Sequence, residues 1–303
     1  MKSLIIAGGS GFLGTVLMNY FESKVANIYV LSRTKKPARK NVTYLKWDAK
    51  NIGNWAQVFE GADVLINLTG KSVDCRYNDT NKKCILSSRV NATKLLGEVI
   101  EACKHPPKIW LNSSTATIYR HSLDKEMDEI KGEIGSGFSV NVAKAWEKQF
   151  FSFKLSNTRQ VALRTSIVLG NQGGAFVPIK RLTKIGLGGK QGPGNQKVSW
   201  IHALDFARSI EFIIENDRIQ GVINVVAPKP TTNTMLMLKL RKKLKVPFGI
   251  PMSKALLTFG AKIINTETEL ILKSRNVIPK KLQVEGFTFQ FPKLDNALDN
   301  LLT

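Results

Sequence analysis

Two hydrophobic rhythms take turns along the first half of the chain. Short runs rich in apolar residues stand at Leu4–Ala7, Asn27–Leu31, Val42–Trp47, Asp63–Asn67, Lys108–Leu111 and Thr158–Thr165. Between them, Thr15–Glu22, Thr80–Ala102 and Ser139–Phe153 repeat their apolar residues every three or four positions. Runs of this length that do not alternate suit strands covered on both faces, and the longer period suits helices with one buried stripe. Strand and helix in alternation predict an α/β chain on a doubly wound parallel sheet. An amphipathic stretch at Ala203–Glu215 and an apolar run at Val222–Val226 add a helix and a seventh strand.

Beyond Gly170 the rhythm breaks. Gly173–Phe176 and the glycine cluster Gly186–Gly194 read as loops. Helices are expected at Thr231–Leu244, Pro251–Ile264 and Thr266–Lys273, with a short strand at Phe287–Phe291. Pro228 and Pro230 mark a crossing between two parts. The organisation expected is about seven parallel strands with a small, discontinuous, mainly helical C-terminal lobe. Residues 1–170 plus 201–227 would form the sheet domain, and 171–200 plus 228–303 the lobe.

The first strand runs into Gly8, Gly9, Gly11 and Gly14, which satisfy both GxGxxG and GxxGxxG. Glycine there allows a sharp turn and a close approach to a pyrophosphate. The following helix offers free N–H groups and a positive dipole end. Strand before and helix after make this a dinucleotide site, with Phe12 and Leu13 inside the loop. At the end of the second strand, Ser32-Arg33-Thr34 lacks the carboxylate that would accept a ribose 2′-OH. It offers Arg33, with Lys35 and Lys36 beyond, and a cation there suits the 2′-phosphate of NADP(H). Asp48 ends the third strand, where it serves either the adenine or its own turn. Leu68-Thr69-Gly70 leaves the fourth strand on the same side as the cofactor.

Composition narrows the class. The 303 residues are 43% hydrophobic, and no apolar run approaches a membrane span. No signal-peptide pattern follows Met1, so a cytoplasmic protein without membrane contact is expected. Cys75, Cys84 and Cys103 have no metal spacing, and an odd count argues against a disulfide framework. The 45 Lys+Arg against 23 Asp+Glu give a formal charge of +22. Such an excess raises nucleic acid as a partner. Yet no aromatics interleave the densest clusters, Lys35–Lys40 and Lys239–Lys245, as base-stacking platforms would. A solvated basic surface and a small-molecule substrate are the expectation.

Several stretches carry a resemblance: GGSGFLG (8–14), NLTG (67–70), SSRVNAT (87–93), SSTATIY (113–119), LRTSIVLG (163–170), GLGGKQGPGNQKVSWIH (186–202) and VIPKKLQVEGFTFQFPKLDNAL (277–298). Together they resemble an extended, atypical short-chain dehydrogenase/reductase of the epimerase-family, sugar-nucleotide-epimerase-like branch, including its short C-terminal extension. The resemblance implies a Rossmann domain that binds NADP(H). It also implies oxidoreductase or epimerase-like chemistry on a small carbonyl, alcohol or nucleotide-sugar-like compound. It gives the substrate-carbonyl role to Ser114 or Thr115. It matches the ribose-holding lysine of YxxxK to Lys144, four residues after Val140, where the family places its proton-transferring tyrosine. Valine cannot transfer a proton, which leaves three readings. Tyr119 or Lys144 supplies the proton; the helix is matched one turn out; or the protein binds the nucleotide without turnover, as a sensor or scaffold. The resemblance further implies a homodimer through the helices at 80–102 and 139–153, and brings Val198–His202 near the ligand or the lobe closure.

Overall fold

The computed structural model describes residues 1–34, 37–263 and 267–303. In chain order the elements are β1 (Ser3–Ala7), α1 (Phe12–Phe21), β2 (Asn27–Ser32), β3 (Val42–Lys46), β4 (Val64–Asn67), α2 (Asp79–Ala102), β5 (Ile109–Thr115), α3 (Phe138–Phe150), β6 (Arg159–Thr165) and β7 (Ile167–Leu169). There follow α4 (Phe176–Leu182), β8 (Lys197–Val198), β9 (Trp200–His202), α5 (Ala203–Glu215), β10 (Gly221–Val225), β11 (Thr231–Thr232), α6 (Asn233–Lys243), α7 (Lys254–Ile263), α8 (Glu269–Leu272), α9 (Lys280–Val284) and α10 (Leu294–Leu302).

Seven strands form one parallel sheet in the order β10-β6-β5-β4-β1-β2-β3. The order reverses between β1 and β4, so a crevice opens at their carboxyl ends. Register brings Ala7 level with Leu31 and Asn67, Asn67 level with Asn112, and Thr115 level with Thr165. The continuous apolar runs are explained by two cores, one on each face. Leu4, Ile6, Val30 and Leu111 pack towards α1 and α5, while Ile5, Ala7, Leu65 and Trp110 pack towards α2 and α3. Buried polar side chains pin the second layer. Asn67 Nδ2 donates to Asn112 Oδ1 at 2.7 Å and to Thr93 Oγ1 at 3.2 Å, and Trp146 Nε1 donates to the same Thr93 hydroxyl at 2.9 Å. The outward faces of α2 and α3 carry exposed Lys83, Asn91, Lys94, Lys144 and Lys148.

The C-terminal part gathers around Phe176, Trp200, Leu236, Leu240 and Leu298, and β7 pairs with β9 to join it to the sheet domain. Its tail also reaches back, for Leu282 and Phe287 pack into the α1–α5 core. The expected strand at Phe287–Phe291 does not form. The backbone N–H groups of Gln290 and Phe291 donate instead to the Asp205 carboxylate, at 2.8 and 2.7 Å, so no ladder partner is needed. The expected helix at Pro251–Ile264 starts only at Lys254, because Met252 exchanges backbone bonds with Lys190 and Gly192. Ile264 and Thr266, like Lys35 and Lys36, lie outside the described residues. Lys239 and Lys243 of the basic cluster pair with Asp295 and Asp299 of α10. Among the described residues no helix is long and apolar enough to cross a membrane.

Candidate functional site

The glycines of the first loop divide into two kinds. Gly8 has φ +72, and a Cβ there would stand 2.9 Å from Thr69 Cα, while one on Gly14 would stand 2.1 Å from Gly9 O. Those two are needed by the fold itself. Gly11 caps the start of α1, and a Cβ on it would meet nothing within 4 Å. Its bareness leaves the N-terminus of α1 uncovered, where free N–H groups can meet a pyrophosphate. Gly8 N donates to Leu31 O at 3.0 Å and Leu68 N to Ala7 O at 2.8 Å, so the loops after β1, β2 and β4 are tied side by side. Phe12 packs beneath Gly170, Gly173 and Gly174, and Leu13 and Leu68 line the cleft beyond.

Two further groups stand at the carboxyl ends of the neighbouring strands β2 and β4. Arg33 is exposed and makes no hydrogen bond or ion pair among the described residues. Thr69 Oγ1 is buried without a partner. Gly70 lies against the Arg89 guanidinium. Asp48 instead serves its own turn. It accepts from the N–H groups of Asn51 and Lys50 at 2.9 and 2.8 Å, which hold its carboxyl down at about 2.

A cavity of about 270 Å³ continues from this surface, between the ends of β5 and β6 and the helices α2 and α3. Its walls include Ser113, Ser114 and Thr115, which extend β5 rather than forming a turn, and Thr165 and Ser166 beside them. The Ser166 hydroxyl is buried and unpartnered. Ser114 donates to Glu147 Oε1 at 2.6 Å, so its proton is turned away from the cavity. Thr115 Oγ1 accepts from Thr117 N at 3.1 Å and keeps its own proton to donate.

The structure places both of the other candidate acids outside the cavity. Tyr119 is 2% exposed, packed with Val140, Met127 and Val277; its hydroxyl donates to Asn224 Oδ1 and accepts from Arg164 Nη1, both at 2.9 Å. Burial raises its pKa further, against the pull of Arg164. Lys144 is exposed on the far side of α3, beside Ile118, Ile134 and Arg164. Val140 is buried in the Tyr119 cluster. The α3 residues that do face the cavity are Phe138, Ser139, Val142, Ala143 and Trp146. A match one whole turn out lands on Ser136 and Val140 or on Lys144 and Lys148, none of which lines the cavity, whereas one position along, at 100° per residue, carries a side chain from core to cavity.

His202 caps a helix. Its Nδ1 accepts from Leu204 N at 3.1 Å, capping α5, and its ring stacks on Phe291 with centroids 4.0 Å apart. Burial lowers its pKa, with Asp205 opposing. Among the cavity residues not singled out in the sequence are Tyr77, Arg89 and Ser166. The signal for Arg89 was a cation on the same helical stripe as the buried Ile85, Ala92 and Leu96.

Sheet order, glycine loop and a polar cleft at the switch point define a nucleotide-binding Rossmann-fold protein of the epimerase and dehydrogenase kind. The chain belongs to the NAD dependent epimerase/dehydratase family, whose model matches residues 4–226; residues 263–301 match a domain of unknown function, DUF1731. It is 32% identical to the epimerase family protein YfhF of Bacillus subtilis, covering 99% of this chain and 98% of that one. It is 31% identical to the mouse epimerase family protein SDR39U1, covering 99% of each. The crystal structure of human SDR39U1 with NADPH superposes with a TM-score of 0.87 at 29% identity, covering 99% of both chains. MoeE5 in complex with UDP-glucuronic acid and NAD shares the fold at a TM-score of 0.78 and 18% identity, covering 99% of this chain and 98% of that one.

Proposed function

We propose that the protein binds NADP(H) along the glycine loop and moves hydride between it and a small carbonyl or alcohol compound in the adjoining cavity. One observation carries this reading. Uncovered Gly11 and the orphaned buried hydroxyls of Thr69 and Ser166 lie along the carboxyl ends of the central strands, where nothing in the chain itself uses them. Exposed Arg33 at the end of β2, with no partner among the described residues, supports NADP over NAD. When bound, the nucleotide supplies a hydride donor or acceptor. The chain supplies hydroxyl donors for a substrate oxygen, from Ser113 and Thr115 on the cavity wall.

A second reading is favoured by one observation. The α3 face towards the cavity offers Ser139 and Ala143, neither a tyrosine nor a lysine. On that reading the protein is a nucleotide-binding sensor or scaffold without turnover.

NADPH fluorescence and thermal unfolding test the first half. Saturable binding that Arg33→Asp weakens about 10-fold or more, with NADH binding preserved, is expected. No binding overturns it. A carbonyl screen with NADPH separates the two readings: turnover that Thr115→Val abolishes favours the enzyme, and none across the screen favours the sensor.

A further inference from the structure

Arg89 lies on the buried stripe of α2 and forms part of the cavity wall. Its guanidinium stands over the Trp146 ring, 5.1 Å from the centroid. Nη1 donates to Lys71 O at 3.0 Å and Ile85 O at 2.9 Å. The opposite edge, Nε and Nη2, makes no hydrogen bond among the described residues, and no carboxylate there pairs with Arg89. The nearby carboxylates are engaged elsewhere. Glu267 accepts from Tyr77 N and pairs with Arg76, and Glu269 accepts from Ser139 Oγ at 2.9 Å.

Gly70 lies beside the same guanidinium without occupying that edge. A Cβ at position 70 would stand 2.9 Å from Arg89 Cζ, 3.1 Å from Nη2 and 3.2 Å from Nε. Cζ is nearer than either nitrogen, so position 70 lies over the flat face of the fork and leaves its Nε–Nη2 edge clear. Arg89 is half-buried, and a partly desolvated cation with no counter-ion beside it favours an anion at its open edge. Burial pushes the Arg89 pKa down to about 10, so it is still charged at neutral pH. Close by, the Tyr77 hydroxyl is buried without a partner, its ring set edge-on to Phe138 at 4.9 Å. The Nε–Nη2 edge of an arginine is the fork that takes two oxygens of a carboxylate or phosphate side by side.

We propose that the cavity holds an anion subsite built on Arg89, so that the compound handled beside the nucleotide carries a carboxylate or phosphate group. The proposal rests on the NADP(H) reading of the adjoining loop. It limits the compound to a small one, since about 270 Å³ lies at the lower end of ligand cavities. The competing source of negative charge is the nucleotide's own diphosphate, and the experiment separates the two.

Malonate, inorganic phosphate and neutral malonamide are titrated calorimetrically into the protein with and without NADPH. At least one of the two anions is expected to bind the NADPH complex, and malonamide is not. Arg89→Gln should weaken the anion about 10- to 100-fold while the NADPH Kd, read by fluorescence, moves by less than about threefold. Arg89→Lys keeps a cation at the wall and loses the two-pronged fork, so it should weaken the anion about 10-fold or more even where Arg89→Gln fails to fold. Four results would overturn the subsite: no binding of either anion, equal binding of malonamide, anion affinity unchanged in both variants, or competition between anion and NADPH. The last would assign Arg89 to the diphosphate. Failure of the nucleotide reading is separately visible as absent NADPH fluorescence, with the anion titration of the nucleotide-free protein still reporting on Arg89.

Discussion

Arg164 and Glu147 meet beneath the cavity in a two-pronged ion pair, Nε to Oε1 at 2.8 Å and Nη2 to Oε2 at 2.7 Å. Both side chains are about 10% exposed. Burial works against the charged arginine, and the Glu147 carboxylate outweighs it, so the guanidinium ends above its ordinary value. The same two residues hold Ser114 and Tyr119. Removing one partner strands a buried charge. Glu147→Leu or Arg164→Met alone is therefore expected to cost about 3–5 kcal/mol, and the double variant much less. Urea unfolding of the three variants checks this; equal losses in single and double variants would contradict it.

Neighbouring serines on β5 should behave oppositely. Ser114→Ala removes the donor to Glu147 and is expected to cost about 1–3 kcal/mol while leaving NADPH affinity intact. Ser113→Ala touches no internal bond made by its hydroxyl among the described residues, so stability should change by less than about 0.5 kcal/mol. Any carbonyl reduction should fall instead. Thermal unfolding paired with NADPH consumption distinguishes the two serines.

The glycine loop offers a similar contrast. Gly14→Ala would drive a methyl group to 2.1 Å from Gly9 O, backbone that cannot move aside cheaply. A loss of about 3 kcal/mol or more is expected, at the upper end of overpacking effects. Gly11→Ala meets open space and should cost less than about 1 kcal/mol as a changed helix cap. Its effect should appear in nucleotide affinity. Melting curves with and without NADPH read both quantities from one sample.

Lys273 gives a pH signature. Burial, with Arg275 beside it, pulls its pKa down to about 8, and its ammonium donates to Thr117 O at 2.7 Å. Between that value and the ordinary lysine value of about 10.4 the unfolded chain binds the extra proton, so stability from this group rises with pH across that window. Below pH 8 the buried charge is a burden in full. Lys273→Met should therefore raise the urea midpoint at pH 7 and lose this advantage by pH 10. A parallel shift at both pH values would show that the lysine is charged throughout.

Much of the fold was legible because its signals are local. Buried strands must be apolar throughout, amphipathic helices must repeat near 3.6, and a turn such as that at Gly8 needs glycine. The exceptions were segments whose backbone partners lie far away in sequence. Phe287–Phe291 has strand-like residues, yet its N–H groups are taken by Asp205, more than eighty positions earlier.

The sequence by itself determined the parallel α/β architecture, the nucleotide loop, the cation at Arg33 and the family, since each is written in neighbouring residues. Only the tertiary structure decided which side chains share the cavity. It turned Lys144 outward, sank Tyr119 and Val140 into the core, and brought Ser139 and Ala143 to the wall. It also set Arg89 against Gly70, nineteen positions away, with one edge of its fork open. The reason is geometric. A helix shows a different face at every residue, so a one-residue change of match exchanges cavity for core. An unpartnered charge can be recognised only once every neighbour is in place.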